Sequence, residues 1–555
     1  MPATAALHYA RDAYTAPRGV IYGRLRVSAD FFSAFATHGS GDTLHCVSPR
    51  REDAADLAER LGPEVAGRKP IVYVPEARFE LLARIGAMMI YSPKLSAWAT
   101  ARQSRGMDRA FSLVGVTHSM SGPLATRWLF EYFTSPVHPW DALIATSTAA
   151  KTMIEETLDG HRDYLAFRLG VTAPPRQVLQ VPVIPLGIDA QRLAQARAGG
   201  TARASWREAL GIGADDVVAL YLGRLSTRNK VNPFAMLRAA EIANRMTPFT
   251  FVLAGQFDDQ ESERGWREAA ALAAPSVRVR FIDGATLDEK PPLWPAADFF
   301  VSLVDNIQET FGLAPVEALA AGLPVIASDW DGYKDTIEHG AVGFRVPTQF
   351  PGRGDGVDLA IATFEAGPPE ETHVGYVADV AQSTVVDIAE AAAAMERLAG
   401  NASLRATMGQ AATERALRLY DWPVIIRAYE ALFEELASLR AAHGRRVRHD
   451  DTVLPPLYPD PYVQYRAFAT TSLMGSDRLA ALQGLDLAFV RTLSVAQGGE
   501  RFRLHATETE ALLRRISAQH GISIAEALEP YAPSLRSVGM RTIAWLMKVG
   551  LVAKL

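Results

Sequence analysis

Residues 298–347 read DFFVSLVDNIQETFGLAPVEALAAGLPVIASDWDGYKDTIEHGAVGFRVP, and this stretch predicts a β–α–β unit. Phe299–Ser302 and Leu323–Ala327 are short apolar runs of the kind that form buried strands. A helix is predicted over Leu313–Ala321, because a proline lies in its first turn and a glycine directly follows it. The loop before this helix then lies at the carboxyl end of a strand, where open α/β sheets bind their ligands.

Two carboxylates belong to this unit, Glu309 in the loop and Glu317 on the helix. Helical side chains lean toward the helix N-terminus, so Glu317 is expected to lean back toward Glu309. The N–H groups of Phe311, Gly312 and Leu313 at the helix start favour an anionic phosphate. Amides for a phosphate beside carboxylates for hydroxyls suit a sugar nucleotide. The alternative is one ordinary surface glutamate and one glutamate that interacts with the helix dipole.

The whole string from Glu309 to Val325, E-T-F-G-L-A-P-V-E-A-L-A-A-G-L-P-V, resembles the donor-site signature of the GT-B retaining glycosyltransferases of family 4. The resemblance implies an α/β GT-B fold, in which two Rossmann-like domains face a cleft. It implies that Glu317 holds the ribose hydroxyls of the nucleotide and that Glu309 contacts the transferred sugar. It also implies that the donor-binding loop from Thr310 to Leu313 faces the diphosphate and the sugar.

Bulk composition fits a large globular protein. The 555 residues are 48% hydrophobic and 21% charged, which suits two or three domains with large cores. A net charge of −5 argues against nucleic acid as the main partner. The single cysteine, Cys46, excludes an intramolecular disulfide and a cysteine-based metal site. With no secretory h-region and no membrane-spanning run in view, a cytoplasmic location is expected, and peripheral contact with the inner membrane face is left open.

The first half of the chain alternates strand-like and helical patterns, as a Rossmann-like domain does. Gly19–Tyr22 predicts the first strand, and Ser28–Thr37 predicts a helix with Ser28 as its N-cap. Gly23 between them would let the backbone approach the donor or the acceptor, or would serve an ordinary strand-to-helix turn. Further strands are predicted over Thr43–Val47, Pro70–Val74, Phe111–Val116 and Ala142–Thr146.

A histidine, His118, follows the strand that ends at Val116. Such a histidine can donate to a sugar hydroxyl or carbonyl near the reaction centre, and the alternative is a hydrogen-bonded structural histidine. The family resemblance favours contact between His118 and the donor sugar. Ser147 is expected to cap the next helix. Val183–Asp189 resembles the I-P-N-G-V-D segment at the interdomain crossing of the family, with Leu186 in place of the asparagine.

The second half supplies the predicted cations. After a strand predicted over Val217–Leu222 comes the sequence GRLS, which starts at Gly223, and then Lys230. This resembles the G-R-L-S…K loop of the family, which implies that Gly223, Arg224 and Lys230 bind the donor. The two cations would stabilise the negative charge that grows on the departing diphosphate. Because Lys230 comes one residue later than in the family, Arg228 is an alternative cation, and a solvated basic loop is the remaining interpretation.

Two further strands are predicted over Thr250–Gly255 and Val277–Ile282, and the nucleotide base would lie near their ends. Asp329 and Asp331 form a D-x-D string, which in other glycosyltransferases holds a divalent metal against the diphosphate. Here the cationic loop fills that role, so a turn is the preferred interpretation. No metal ligand is predicted, and no metal is strictly required.

Five segments are predicted along the chain. They are an acceptor domain over 1–205, a nucleotide-sugar donor domain over 206–420, a helix crossing back to the first domain over 421–445, a Pro-rich linker over 446–469 and a helical accessory module over 470–555. Within the first two, Thr201–Ala214 is predicted as a polar linker and Arg353–Thr384 as a surface insertion. Trp422 resembles the aromatic residue at the family's return crossing.

The last segment is expected to recruit a protein partner or the acceptor. Ser523–Glu526 predicts a capping box, and Met540–Val552 resembles the last helix and turn of a winged-helix module. A reader of nucleic acid would carry more Lys and Arg, so no nucleic acid partner is expected.

The sequence therefore predicts a retaining glycosyltransferase of hexosyltransferase type. It would move a sugar from a nucleotide-diphosphate donor to the hydroxyl of a glycan, lipid-linked or small-molecule acceptor, in glycan or polysaccharide assembly. The residues predicted to be catalytic are Glu309, His118, Arg224 and Lys230, with no cofactor beyond the nucleotide sugar. No residue stands out as a covalent nucleophile, so diphosphate departure with same-face attack is expected.

Two rival interpretations remain, and only the second comes from a different class. One is a different GT-B activity, such as a sugar-phosphate synthase or a phosphorylase, although no Schiff-base lysine site is visible for the latter. The other is a catalytically silent sugar-nucleotide-binding or regulatory protein with a winged-helix-like tail.

Overall fold

The chain forms two compact units, Met1–Pro455 and Pro456–Leu555. A computed structural model describes residues 4–11, 23–172, 174, 176, 178–198, 200–284, 292–443 and 460–555. Within these ranges no helix combines the length and the apolar character that crossing a bilayer requires.

Two six-stranded parallel sheets form the framework of the first unit. The first sheet contains β1 Ala6–His8, β2 Leu44–Ser48, β3 Ile71–Pro75, β4 Ala87–Ile90, β5 Ser112–Val116 and β6 Ala142–Ile144. The second contains β7 Val218–Leu222, β8 Thr250–Gly255, β9 Arg278–Asp283, β10 Phe299–Ser302, β11 Val325–Ser328 and β12 Gly343–Val346. Their orders, β3-β2-β1-β4-β5-β6 and β9-β8-β7-β10-β11-β12, are the same doubly wound order, so the predicted α/β GT-B architecture is confirmed.

Helices connect the strands and separate two cores on either side of the first sheet. Alternate residues of β4 and β5 belong to different cores: Met89 and Val114 to one, Met88 and Leu113 to the other. The helices of this unit are Gly23–His38, Glu52–Ala66, Phe79–Ile85, Ser96–Gln103, Pro123–Glu131, Thr148–Leu169, Ala190–Ala198, Gly200–Ala209, Pro233–Asn244, Gln260–Ala273, Leu313–Ala320, Tyr333–Thr336, Val357–Ala366, Pro369–Ala381, Ile388–Gly400, Ala402–Leu419 and Trp422–Ala442. Two short strands, Thr348–Gln349 and Val385–Val386, pair antiparallel.

The start of the first sheet corrects the sequence prediction. Ala6–His8 holds the central place next to β2 and β4, and the predicted strand Gly19–Tyr22 lies outside the described residues. Ala87–Ile90 was missed as well, because short strands buried on both faces show no alternation. The first helix begins at Gly23, so Ser28 lies inside it and is not its N-cap. The other predicted strands lie within two residues of their predicted bounds.

The predicted linker Thr201–Ala214 is wrong, because most of it is the helix Gly200–Ala209. Arg207 on this helix is buried and donates to the Asp298 carboxylate, with Nη2 2.7 Å from Oδ2. The same carboxylate accepts the N–H of Val218 at 2.8 Å. The arginine therefore anchors the helix to the starts of β7 and β10. The sequence analysis missed this helix because the segment is polar.

The predicted surface insertion Arg353–Thr384 contains the helices Val357–Ala366 and Pro369–Ala381. The first of them buries no residue. The second helix lies against the half of the first unit that contains the first sheet. A Cβ added to Gly122 of that half would lie only 2.9 Å from Nδ1 of His373 on this helix.

The chain crosses between the two sheets at one paired position. Ile188 bridges Asp421 in parallel fashion, and the helix Trp422–Ala442 then packs into the core of the first sheet. A Cβ added to Gly187 would lie 2.2 Å from a ring carbon of Trp422, so this glycine lets the chain pass the indole. The predicted crossing of Trp422 back to the first half is thus present.

The second unit is mostly helical, as predicted, and also contains a sheet that the sequence did not reveal. Its helices are Pro461–Gln464, Leu487–Thr492, Ser494–Gln497, Ala506–Ala518, Ile524–Leu528 and Pro533–Lys548. Three antiparallel strands lie in the order Ile522–Ser523, Arg478–Ala481, Val552–Lys554. The predicted capping box is present, with Ser523 and Glu526 bonding each other's backbone N–H.

Candidate active site

The carboxyl ends of the two sheets meet across the first unit. The Thr146 hydroxyl, just after β6, donates to the carbonyl of Thr310 at 3.2 Å. The N–H of Thr148 donates to Oδ2 of Asp335 at 2.6 Å. Because ligands of α/β sheets bind at the carboxyl ends of strands, these contacts mark the side of each sheet on which a shared site would lie.

Glu309 is paired with a cation on this side. The Lys230 ammonium donates a hydrogen bond to its Oε2, and the N–H groups of Phe311 and Gly312 also bond to the carboxylate. Burial works to raise the pKa of Glu309, but the charge of Lys230 and these hydrogen bonds outweigh it and leave the pKa below its ordinary value. Glu309 is therefore held as a carboxylate at neutral pH.

The N–H groups of the donor-binding loop have a different partner from the diphosphate that the sequence analysis predicted. The N–H groups of Phe311 and Gly312, predicted to face a diphosphate, bond to the carboxylate of Glu309 here. Thr310 offers its carbonyl to the first half. Leu313 begins the helix, and Glu317 lies partly exposed one turn further on.

Two loops of the second half are joined by three contacts, of which the Lys230–Glu309 pair is one. The N–H of Asn232 donates to Oδ1 of Asp305 at 3.2 Å, and the Asn306 amide donates to the Arg228 carbonyl at 3.3 Å. These contacts hold the loop after β7 against the loop after β10. The Arg228 side chain is exposed and lies 4.0 Å from Glu261, so Lys230 is the cation that reaches the glutamate.

Asp305 was missed by the sequence analysis. It is buried, and desolvation raises its pKa to about 7 against the lowering effect of the Asn232 N–H. Its position was the signal that could have identified it, because Asp305 is an acidic residue shortly after a central strand of the β–α–β unit.

Glycines bring the backbone close together around Lys230. A Cβ added to Gly255 would lie 1.7 Å from the Gly223 carbonyl oxygen, and one added to Gly223 would lie 3.7 Å from Cε of Lys230. Gly223 thus lies beside the predicted cation. Arg224 is partly exposed, and its guanidinium lies 3.5 Å from the carbonyl of Asn229.

Both the backbone conformation and the close packing at Gly312 require a residue without a side chain. Its φ is 88°, in the left-handed region, and an added Cβ would lie 1.9 Å from Cε1 of Tyr333. The Tyr333 hydroxyl lies 3.0 Å from the Ser302 hydroxyl at the end of β10. The glycine therefore lets the Glu309 loop lie directly on a buried tyrosine.

His118 and Gly23 lie on the carboxyl side of the first sheet. The N–H of Thr117 donates to the carbonyl of Ile144, which places His118 beside the end of β6. Its Nε2 lies 3.1 Å from the Tyr91 carbonyl oxygen, and the two rings are 4.1 Å apart. Gly23 begins the helix that follows β1.

The D-x-D string is a turn, as the sequence suggested. Asp329 forms an ion pair with Arg345 at 3.3 Å, and the N–H of Tyr333 closes the turn on the Trp330 carbonyl at 3.0 Å. Among the described residues no three His, Cys, Asp or Glu side chains are grouped to hold a metal ion. A glycine turn lies further along the chain, with the Gly340 N–H donating to the Gly343 carbonyl at 2.8 Å.

Comparison with known families matches one part of the chain. Residues 202–352 match the family described as glycosyl transferases group 1, so this part of the chain is a group 1 glycosyltransferase domain.

Curated relatives match only parts of the chain. D-inositol 3-phosphate glycosyltransferase of Salinispora tropica is 30% identical over 181 residues, 31% of this chain and 36% of that protein. Phosphatidyl-myo-inositol mannosyltransferase of Mycobacterium tuberculosis is 27% identical over 229 residues, 40% of this chain and 49% of that protein. The chain thus spans about a third to a half of the length of these relatives.

Among solved structures, HepE of Anabaena in complex with UDP is 17% identical, with a TM-score of 0.49 over 78% of this chain and 99% of that one. Sucrose-phosphate synthase of Thermosynechococcus elongatus is 18% identical, with a TM-score of 0.45 over 79% of this chain and 99% of that one.

Proposed function

We propose that this protein is a retaining glycosyltransferase of family 4 that transfers a sugar from a nucleotide-diphosphate donor to an acceptor hydroxyl. The observation that carries the proposal is the Lys230–Glu309 pair, set at the carboxyl ends of β7 and β10 within the group 1 domain. A cation and a carboxylate at one edge of the sheet suit a leaving diphosphate and a sugar hydroxyl.

The charges suit bond breaking at the anomeric carbon. A lysine ammonium has three donors, and Glu309 takes one, so the remaining two are available to an anionic diphosphate. As the glycosidic bond breaks, negative charge grows on the departing phosphate, and Lys230 with Arg224 would stabilise it. Glu309, held ionised, would accept a hydrogen bond from a hydroxyl of the sugar.

Retention follows from the proposed route. The acceptor hydroxyl would attack on the face that the diphosphate leaves, and a phosphate oxygen would take its proton. This route relies on positioning and electrostatics, and it needs no covalent nucleophile and no metal. The meeting of the two sheets at Thr146 and Thr310 supports a site from which closure excludes water.

A donor screen tests the proposal. The melting temperature and product formation would be measured with UDP-, GDP- and ADP-sugars for the wild type and for Glu317→Ala. We expect one base to raise the melting temperature at millimolar ligand, as a binder of the folded state must, and the variant to lose that rise. Slow hydrolysis of the same donor would show competent chemistry.

A matched control is Glu396→Ala, which removes an exposed glutamate from another helix of the same half. It should bind the donor as the wild type does. Donor binding with neither transfer nor hydrolysis would instead support the silent sugar-nucleotide-binding alternative, and the absence of any binding would contradict both.

A further inference from the structure

Asp331 has an unusual backbone conformation. Its φ is 45°, and it is the one non-glycine residue with positive φ among those that the structure describes. This region costs an L-residue roughly 1–2 kcal/mol, although aspartate tolerates it better than most. Such strain persists where the surrounding structure holds it and is concentrated at functional positions.

The turn that contains Asp331 is fixed to the Glu309 loop. The Trp330 indole N–H donates to the Asn306 carbonyl at 3.1 Å. A Cβ added to Gly332 would lie 2.5 Å from Cα of Phe311, so the two backbones are in direct contact. Burial and the charge of Glu309 raise the pKa of Asp331, against the lowering effect of the Gly332 N–H, which bonds to its carboxyl group.

The Asp331 carboxyl group faces the first half and is incompletely bonded. Its Oδ1 lies 3.5 Å from the Ser147 hydroxyl of the first half. Its Oδ2 is buried and has no hydrogen-bond partner within the described ranges. A buried polar atom without a partner costs about 1–3 kcal/mol, and a hydrogen bond from a ligand would offset that cost.

Neighbouring carboxylates of the same segment are bonded. Asp329 pairs with Arg345 at 3.3 Å, and Asp335 accepts the Thr148 N–H at 2.6 Å. Oδ1 of Asp329 also lacks a hydrogen bond, but that carboxylate is paired with Arg345, whereas Asp331 lies beside a second carboxylate, Glu309.

We propose that Asp331 contacts a hydroxyl of the sugar carried by the donor and helps to determine which sugar is accepted. This inference rests on the proposed function, and it adds a second sugar-binding carboxyl group beside Glu309. A sugar hydroxyl both donates and accepts hydrogen bonds, so it can bond to Oδ2 of Asp331 whether the carboxyl group is ionised or protonated. In this proposal Lys230 and Glu317 hold the nucleotide, and Asp331 contacts only the sugar.

Asp331→Gly separates a ligand contact from a structural role. Glycine adopts φ 45° without cost and removes the buried open oxygen, so the variant should melt at or above the wild-type temperature. Its KM for the sugar nucleotide should rise about 10-fold or more, the usual effect of losing a hydrogen bond to a substrate hydroxyl. Its Kd for the sugar-free nucleoside diphosphate should stay within about twofold, because that ligand lacks the contact.

Asp331→Asn keeps the size of the side chain and should give a smaller rise in KM. Glu338→Gln is the matched control, since Glu338 is an exposed acid of the same segment paired with Arg415 at 2.9 Å. Unchanged KM and kcat in Asp331→Gly would overturn the sugar contact, and so would an equal loss of affinity for the nucleoside diphosphate. If the wild type neither binds nor turns over any sugar nucleotide, both the proposed function and this inference are wrong. If it does bind or turn over a sugar nucleotide, the variants test the role of Asp331 alone.

Discussion

The two halves of the first unit share one strand order but hold their carboxyl-side loops differently. In the second half, a charged pair and two hydrogen bonds join the loop after β7 to the loop after β10. In the first half, the His118 ring packs against Tyr91, and its Nε2 lies 3.1 Å from the Tyr91 carbonyl oxygen. The same fold therefore carries a lysine–glutamate pair between two loops on one side of the cleft and a histidine beside a tyrosine on the other.

This difference indicates where the electrostatic work would be done. A fold of this order supplies the crevice, and the side chains at the strand ends supply the chemistry. A donor with a charged diphosphate needs fixed charges that do not reorganise, and the second half provides them. An acceptor offered by the first half needs shape and a few neutral hydrogen bonds.

The largest expected effect comes from removing the cation. Lys230→Met should lower kcat/KM by about 100-fold or more, the usual result of losing one donor to a developing anion. It also leaves Glu309 without its partner, so the free energy of unfolding should fall by roughly 2 kcal/mol. Steady-state kinetics and denaturant unfolding measure both.

Arg228→Met is the control for that comparison, because Arg228 lies two residues away and is exposed. Surface substitutions of this kind stay within about 0.5 kcal/mol. A larger loss of kcat/KM in Arg228→Met than in Lys230→Met would mean that the cation had been assigned to the wrong residue.

The next effect concerns backbone packing under the donor loop. Gly312→Ala forces a side chain into the left-handed region and against Tyr333, so the free energy of unfolding should fall by about 3 kcal/mol. Gly354→Ala has a similar φ, 100°, but open space around its Cβ, and should cost only about 1 kcal/mol. Equal losses in the two variants would show that contact with Tyr333 carries no weight.

Local sequence was enough to predict the unit from Phe299 to Ala327. Its apolar runs, the proline in the first helical turn and the glycine after the helix act within a few residues of each other. The first strand, Ala6–His8, escaped prediction because three residues carry no period. The helix Gly200–Ala209 escaped because its buried arginine looks like a linker residue until Asp298 is beside it.

The sequence predicted which residue types belong to the site, but it did not predict which of them contact each other. Glu309 and Lys230 were both expected, but their contact spans 79 positions and depends on the packing of β7 against β10. Asp305 and Asp331 follow strands in ordinary polar loops, and only burial distinguishes them from solvent-facing acids. Sequence patterns report neighbours along one element, whereas these interactions arise from packing between elements.

A smaller effect should appear in the pH dependence of stability. Since the pKa of Asp305 is raised to about 7, the folded protein keeps a proton that the unfolded chain releases above about pH 4. The free energy of unfolding therefore falls as pH rises through this window. Asp305→Asn removes that penalty and keeps an oxygen for the Asn232 N–H, so its stability relative to the wild type should improve by up to about 1.4 kcal/mol per pH unit.

Denaturant unfolding at pH 4 to 7.5 measures this change. Asp259→Asn should show no comparable trend, because the N–H and hydroxyl of Ser262 lower the pKa of Asp259, so this group is already charged in both the folded and the unfolded chain above about pH 4. A constant difference between Asp305→Asn and the wild type across the range would contradict the buried-acid interpretation.

The smallest expected effect lies at the contact between the halves. Thr146→Val keeps the shape of a buried side chain but removes its hydrogen bond to the Thr310 carbonyl, and the free energy of unfolding should fall by about 1 kcal/mol. Because the bond joins the acceptor side to the donor loop, the variant should also hydrolyse the donor faster relative to transfer, as a site that closes less completely admits water. Thr157→Val removes a hydroxyl bonded only within its own helix and its own half, and should leave the ratio of hydrolysis to transfer unchanged. If Thr146→Val lowers stability without altering that ratio, the contact holds the halves together and plays no part in excluding water.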